Sequence, residues 1–226
     1  MTQPSIQDAH EVAERLAEVR SRIQRAGGVG VSVVAVTKTF GVDAIIAAAA
    51  AGCDAIGENY AQELVAKASA LAERPPVHFI GQLQSNKVRL IAPYVDVFET
   101  VDRISIAGEI AKRSPGARVL VQVITPNDDG SLDLGKGGCA LGDAAAIVDA
   151  CRSAGLAPLG AMTVGPTGAS VRTTVEGFRS VRRLVDDLGL SVCSMGMSDD
   201  LEVAVGEGST QVRVGSALFG ARPPRD

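Results

Sequence analysis

One lysine stands out in this sequence because of the apolar segment that precedes it. The segment VAVTKTF (34–40) is apolar and largely β-branched up to Thr37, and Lys38 follows at once. Alternation along an extended strand places Lys38 on the same face as Val34 and Val36, so burial of that face would partly desolvate the amine. Desolvation lowers the pKa of a lysine and makes its neutral amine available as a nucleophile for a carbonyl. The alternative is a surface lysine whose stem covers the end of a strand while its charge stays in water.

Two loops near the other end of the sequence have the composition of a phosphate site. They read SMGMSDD (194–200) and VGSALFG (214–220), and both offer small residues, a hydroxyl and backbone N–H groups. Ser198 is expected to open a helix, which would turn the neighbouring N–H groups outward. The alternative is an ordinary serine N-cap followed by two acidic residues that favour the helix dipole.

Arg213 lies inside the strand-like segment QVRVG. Val212 and Val214 should share one face of this strand, with Arg213 on the other. An interior guanidinium needs a partner because burying an unpaired charge is costly, and the partner is either a ligand or a carboxylate such as Glu58 or Glu99. A lysine that attacks carbonyls, a phosphate site and an interior arginine together favour pyridoxal 5'-phosphate (PLP). The same parts could also serve a cofactor-free lysine aldolase that acts on a sugar phosphate.

Eight short β-branched segments alternate with helical stretches along the sequence. The predicted strands are 31–37, 54–58, 77–81, 95–99, 118–124, 158–163, 191–195 and 211–215. Dividing 226 residues by eight gives about 28 residues per unit, a usual length for one strand and one helix. Strict alternation favours a parallel sheet, and eight units predict a single (β/α)8 TIM barrel domain over residues 1–226. A doubly wound open sheet is the alternative, but it would carry a glycine-rich fingerprint after its first strand, where VAVTKTF has none.

An amphipathic helix is predicted before the first strand. Its apolar face repeats at spacings of four, three and four and consists of Val12, Leu16, Val19 and Ile23. The next helix is marked by Val42, Ile45, Ile46 and Ala49. A long helix near the C-terminus is marked by Val171, Val175, Phe178, Val181 and Val185. The barrel is therefore expected to carry one extra helix at its N-terminus, with its site at the carboxyl ends of the strands.

Composition argues against several classes of protein. The formal charge of −4, an aromatic content of 3% and the lack of tryptophan disfavour a nucleic-acid surface. The longest apolar run, AIIAAAAAGC, is too short to span a bilayer, and we expect no signal peptide at the N-terminus. Four cysteines fit neither a zinc pattern nor a disulfide framework, which predicts a reducing, cytoplasmic compartment; they are Cys53, Cys139, Cys151 and Cys193. We expect no nucleic-acid, membrane or metal partner.

Five motifs resemble the pyridoxal phosphate homeostasis protein family, which shares the barrel of the alanine racemase N-terminal domain. They are VAVTKTF, GENYAQE (57–63), HFIGQLQSNK (78–87), SMGMSDDLEVAV (194–205) and GSTQVRVGSALFG (208–220). The resemblance runs from the first strand to the C-terminus. It implies an intracellular PLP-binding protein that holds PLP as an aldimine on Lys38 and buffers it or delivers it to PLP-dependent apoenzymes. It implies no robust catalytic activity.

The resemblance also implies a set of cofactor-binding residues. The residues whose loops would hold the phosphate are Met197, Ser198, Gly215 and Ser216. Arg213 would face the pyridine nitrogen and keep it unprotonated, which makes the ring a weaker electron sink and favours carrying the cofactor over carbanion chemistry. Asn59 matches a family position beside the cofactor, although Asn59 and Gln62 also form a capping-box pattern for the next helix.

The main alternative is a weak single-domain racemase or lyase that uses PLP. Alanine racemases carry a second, β-rich domain that supplies a catalytic tyrosine, and we expect none here, where the tyrosines are Tyr60 and Tyr94. A racemase needs acids and bases on both faces of its substrate carbanion. His78 is either a satisfied core histidine or a site residue, and Lys87 or Lys136 could contribute a second PLP site. No exposed apolar stripe is obvious, which favours a monomer.

Overall fold

Eight parallel strands close into a barrel in the computed structural model, which describes residues 8–68 and 74–221. The strands are β1 (Ser32–Val36), β2 (Ala55–Glu58), β3 (Val77–Phe79), β4 (Val97–Val101), β5 (Arg118–Gln122), β6 (Ala157–Met162), β7 (Val192–Ser194) and β8 (Gln211–Val214). Each strand pairs with the next along the chain, and β8 pairs with β1 so that Arg213 lies opposite Val34. All eight predicted strands are confirmed. The largest shift is in β4, which begins at Val97 and not at residue 95.

A helix follows each strand. These helices are α2 (Val42–Ala51), α3 (Ala61–Lys67), α4 (Ser85–Ile91), α5 (Ile104–Arg113), α6 (Ala144–Ser153), α7 (Val171–Asp187), α8 (Leu201–Gly206) and α9 (Ser216–Phe219). Short 3-10 turns cover Ala92–Tyr94, Leu134–Lys136 and Leu141–Asp143. One further helix, α1 (Ala9–Arg25), precedes β1. The fold is a (β/α)8 TIM barrel with an extra N-terminal helix, as the sequence predicted. Within the described ranges, no helix is both long and apolar enough to cross a membrane.

Helix α1 packs against α2, α8 and α9. The side chain of Asp8 caps its first turn by accepting a hydrogen bond from the N–H of His10. The predicted apolar face is confirmed, because all four of its residues are buried. Each such side chain contributes roughly 1.5–3 kcal/mol when it is fully removed from water. This burial fastens α1 across the junction between the first and the last strand–helix units.

The apolar core lies mainly between the strands and the surrounding helices. On β1, Val33 and Ala35 belong to this outer core, whereas Val34 and Val36 face the inside of the barrel. On β8, the two valines that flank Arg213 belong to the outer core, and Arg213 points inside. The face that carries Lys38 and the face that carries Arg213 are therefore those predicted from strand alternation.

The predicted helical faces are correct only in part. Helix α2 buries Ala44, Ile45, Ala47 and Ala48, whereas Ile46 is 59% exposed. Helix α7 buries Phe178, Val181 and Val185, but Val171 at its start is exposed. In α2 the buried stripe consists largely of alanines, whose small side chains let the helix lie close to its neighbours, and this displaces the larger Ile46 to the surface.

Candidate functional site

The carboxyl ends of the strands surround a cavity of about 290 Å³. All seven predicted site residues line it, namely Lys38, Asn59, Met197, Ser198, Arg213, Gly215 and Ser216. They come from the ends of β1, β2, β7 and β8 and the loops that follow. The remaining lining residues are Val36, Ile80, Met162, Val164 and Asp199. The sequence therefore indicated the polar side of the cavity but not most of its apolar wall.

Lys38 lies two residues beyond the end of β1 and is half-buried. The turn that carries it is held on both sides. The carbonyl oxygen of Thr37 accepts a hydrogen bond from Nζ of Lys67 (2.9 Å), and the N–H of Thr39 donates to Glu63 (2.8 Å). Thr39 has a φ of 68°, in the left-handed region that costs a β-branched residue about 1–3 kcal/mol. A constrained turn therefore places Lys38 at the mouth of the barrel.

The loops after β7 and β8 meet at one side of the cavity. Oγ of Ser198 lies 3.1 Å from Oγ of Ser216 and accepts a hydrogen bond from the N–H of Ala217 (3.3 Å). Gly215 is buried between them, and Ser216 is exposed. Two hydroxyl groups among small residues and backbone N–H groups form a donor set that suits a phosphate.

The prediction that Ser198 opens a helix is wrong. Residues 198–200 form a turn, and α8 begins only at Leu201. The side chain of Asp200 accepts a hydrogen bond from the N–H of Met197 (2.6 Å), which closes this turn. Asp199 lines the cavity, but it is exposed to solvent. Ser198 is therefore held by a turn that the Asp200 side chain closes, and not by the N-terminus of a helix.

Helix α1 supports both loops from the outside of the barrel. Arg22 donates to the carbonyl oxygen of Ser198 (2.9 Å) and forms two hydrogen bonds with Glu202. Arg15 donates to the carbonyl oxygen of Leu218 (3.0 Å). The hydrogen bond from Arg22 lowers the pKa of Glu202 to about 2. The extra helix thus contributes charged contacts to the segments that surround the two serines.

Arg213 lies inside the barrel and is 4% exposed. One terminal nitrogen donates to the carbonyl and hydroxyl oxygens of Ser194 (2.8 and 2.7 Å), and the other donates to the carbonyl oxygen of Thr163 (2.7 Å). Burial lowers the pKa of Arg213, and the charge of Glu99 opposes that shift. Among the described residues, no carboxylate forms an ion pair with this guanidinium. Its direct partners are neutral oxygens, and the hydroxyl group of Ser194 links it by hydrogen bonds to Glu99.

A buried polar network extends from Arg213 into the barrel interior. Glu99 is fully buried, accepts hydrogen bonds from the Ser194 hydroxyl (2.7 Å) and the Gln211 amide (2.7 Å), and lies 2.5 Å from Nδ1 of His78. Burial by itself would raise the pKa of Glu99. The hydrogen bond and charge of His78, the charge of Arg213 and the Ser194 hydroxyl outweigh burial and lower the pKa. The carboxylate therefore stays ionised and compensates the positive charge of the arginine.

Two alternatives that the sequence left open are decided by these contacts. His78 is a satisfied core histidine, since it is 9% exposed and its partner is Glu99. Asn59 does not cap α3, because the N-cap position is Tyr60 and no side chain caps the helix there. The carbonyl group of Asn59 packs against Gly81, where a Cβ atom would lie 1.9 Å from its oxygen. Asn59 is thus held at the cavity by close packing of the loops after β2 and β3.

The two other lysines singled out by the sequence lie outside this cavity. Lys136 donates to the carbonyl oxygen of Gly165 (2.8 Å) and lines a neighbouring cavity of about 380 Å³. This second cavity shares Asn59, Ile80 and Val164 with the first. Lys87 lines another cavity, of about 180 Å³. A second PLP site at either lysine stays a prediction.

Comparison with known proteins matches nearly the whole chain. The family model of the alanine racemase N-terminal domain matches residues 7–223. A curated pyridoxal phosphate homeostasis protein from Pseudomonas aeruginosa is 40% identical, and the match covers 93% of this chain and 96% of that protein. This chain belongs to the pyridoxal phosphate homeostasis protein family.

Two further matches also extend over nearly the whole chain. The pyridoxal phosphate homeostasis protein of Escherichia coli K12 is 35% identical, and the match covers 94% of this chain and 97% of that protein. PipY of Synechococcus elongatus PCC7942, solved with PLP bound, is 31% identical with a TM-score of 0.80. That match covers 92% of this chain and all of PipY. The family predicted from five sequence motifs is therefore confirmed.

Proposed function

We propose that this protein binds PLP in the barrel cavity and serves PLP homeostasis by buffering the cofactor or delivering it. The observation that carries the proposal is the lining of one cavity by a half-buried lysine, two serine hydroxyls and an interior arginine. These groups match the aldehyde, the phosphate and the ring nitrogen of PLP. Membership of the homeostasis protein family and the PLP-bound structure of PipY support the same function.

The cavity fits PLP in size and in the chemistry of its lining. Its volume of about 290 Å³ lies near the lower end of the range for small-molecule sites. Ser198 and Ser216 stand on the side nearest the last two strands, and Lys38 stands at the end of β1. The apolar wall offers apolar contact to an aromatic ring and consists of Val36, Ile80, Met162 and Val164.

When bound, PLP supplies an aldehyde that condenses reversibly with a primary amine and releases water. Lys38 is the amine that the turn after β1 presents to the cavity. The hydroxyl groups of Ser198 and Ser216 bind the phosphate. Arg213 is permanently charged, so when it faces the ring nitrogen it disfavours a proton there. These residues hold the cofactor without strengthening the ring as an electron sink.

We further infer that residues 1–226 act as a single PLP-binding domain that is monomeric and cytoplasmic and serves PLP-dependent apoenzymes. The four cysteines are unpaired and buried, which suits a reducing compartment. The curated relatives are matched over nearly their whole lengths, which supports one domain. We expect no robust turnover, because carbanion chemistry benefits from a protonated ring nitrogen and the arginine opposes it.

Borohydride trapping tests the proposal. The visible absorbance of the purified protein with PLP is recorded, the sample is reduced with sodium borohydride, and the modified peptide is mapped by mass spectrometry. We expect a yellow protein with a pyridoxyl group on Lys38 and neither signal in Lys38→Ala. The control is Lys112→Ala, which removes an exposed lysine and should leave both signals unchanged. A protein that stays colourless and unmodified overturns the proposal. If wild type exchanges the α-hydrogen of an amino acid quickly and Lys38→Ala does not, the result favours a racemase or lyase.

A further inference from the structure

An ion-paired cluster of Glu58, Glu63 and Lys67 lies beside the turn that carries Lys38. Glu58 is the last residue of β2 and Lys67 is the last residue of α3, and both are buried. Nζ of Lys67 lies 2.8 Å from Oε1 of Glu58 and 3.5 Å from Oε2 of Glu63. We call these three residues the brace.

The brace holds the backbone on both sides of the cavity lysine. On the strand side, Thr37 receives a hydrogen bond on its carbonyl oxygen from Lys67 (2.9 Å) and donates its hydroxyl to Glu58 (2.6 Å). On the helix side, the N–H of Thr39 donates to Oε2 of Glu63 (2.8 Å). Three separate hydrogen bonds with residues of β2 and α3 therefore fix a turn of three residues.

The arrangement is a poor device for stability alone. A buried ion pair seldom stabilises a fold more than apolar side chains of the same size would. Burial raises the pKa of Glu58 against the opposing charge of Lys67, and its second oxygen, Oε2, is buried with no hydrogen-bond partner in the described part of the chain. Thr39, which the brace holds, has a backbone in the left-handed region. Buried charge and backbone strain around one turn are typical of structures that fix a reactive group.

We propose that Glu58, Glu63 and Lys67 are positioning residues that hold the Thr37–Thr39 turn so that the amine of Lys38 meets the aldehyde of a ligand whose phosphate is already seated. The inference rests on the proposed function. None of the three brace residues belongs to the cavity lining formed by the described residues, so the brace acts through the turn. Its loss should weaken attachment to Lys38 and leave phosphate binding intact.

Two ligands separate these effects. PLP carries the aldehyde, whereas pyridoxine 5'-phosphate carries an alcohol at that position and reports on the phosphate and ring contacts only. Glu63→Ala is the first variant, because Glu63 is the most exposed member of the brace and its loss frees the N–H of Thr39. Glu63→Gln restores an acceptor oxygen at the same reach. Glu63→Asp keeps the charge but shortens the reach, and it serves as the second variant if Glu63→Ala fails to fold. The control is Glu109→Ala, which removes a carboxylate of α5 that bonds Arg113.

Titration calorimetry measures the Kd of each variant for each ligand, and borohydride reduction measures the yield of the PLP adduct on Lys38. For Glu63→Ala we expect a fivefold to twentyfold weaker Kd for PLP, a Kd for pyridoxine 5'-phosphate within twofold of wild type, and recovery of most PLP affinity in Glu63→Gln. Equal weakening for both ligands, or an unchanged Kd for PLP in both Glu63→Ala and Glu63→Asp, overturns the inference while the proposed function stands. A wild-type protein that captures no PLP overturns the proposed function, and the inference with it.

Discussion

Replacing Glu99 by glutamine would remove one negative charge from the barrel interior and keep the shape of the side chain. The carboxylate accepts from Ser194 and Gln211 and contacts His78. A glutamine offers one acceptor oxygen in place of two, so at least one of these groups loses its partner. Hydrogen bonds to a charged group contribute about 1.5–3 kcal/mol each, and Arg213 would be left without a buried counter-charge. We expect the free energy of unfolding at neutral pH to fall by about 3–5 kcal/mol.

The size of this loss should depend on pH. The surroundings of Glu99 hold its pKa below the ordinary value of 4.5 in the folded protein. A group whose pKa is lower in the folded state stabilises the fold fully above its unfolded pKa, and this stabilisation disappears as the pH falls through the folded pKa. The difference in stability between wild type and Glu99→Gln is therefore largest near neutral pH and shrinks once the pH falls below the ordinary pKa.

Urea unfolding followed by circular dichroism measures the effect at neutral, mildly acidic and strongly acidic pH. Glu176→Gln is the matched control, because Glu176 forms an exposed pair with Arg172 on the surface of α7 and should show no measurable change. Wild-type stability of Glu99→Gln at neutral pH would show that the carboxylate of Glu99 does not stabilise the barrel interior. Equal destabilisation of Glu99→Gln at every pH would show that the loss of stability does not depend on an ionised carboxylate.

The outer helix and the buried thiols give two further predictions. Arg22→Gln removes the hydrogen bond to the Ser198 carbonyl oxygen. In titration calorimetry, this variant should bind PLP and inorganic phosphate threefold to tenfold more weakly than wild type. The control is Arg25→Gln on the same helix, which should leave both affinities unchanged. Burial raises the pKa of each cysteine thiol to about 11; these are the thiols of Cys53, Cys139, Cys151 and Cys193. A thiol reagent should therefore label the native protein only as fast as the protein opens. Rapid labelling of the native protein would contradict this prediction.

The strands were predictable because the strands of a parallel barrel are buried on both sides and appear as short apolar runs. β1 and β7 each occupy the middle of the segment predicted for them. Helical faces were less predictable where alanine dominates. In α2, several faces are apolar enough to be buried, and close packing against the neighbouring helix decides between Ile45 and Ile46. That choice depends on tertiary contacts which no local pattern records.

Two charged residues that line the cavity, Lys38 and Arg213, were predictable, and the buried polar network beyond Arg213 was not. Lys38 and Arg213 each interrupt an apolar run, and alternation then fixes the face on which they lie. Glu99 was named only as one possible partner of Arg213. Its actual link runs through Ser194, which is 95 residues away from it along the chain. Lys67 gave no signal at all, because a lysine near the end of a helix normally lies in solvent.

The pairing of β1 with β8 has a consequence for protein synthesis. Lys38 is translated with the first strand of the barrel, whereas Ser198, Arg213 and Ser216 are among the last parts of the barrel to be translated. Helix α1 likewise has no α8 or α9 to pack against until the last two strand–helix units of the barrel have been translated. A nascent or prematurely terminated chain would therefore present the amine without the serines and the arginine. Under the proposed function, only finished molecules withdraw PLP from the cell's free pool.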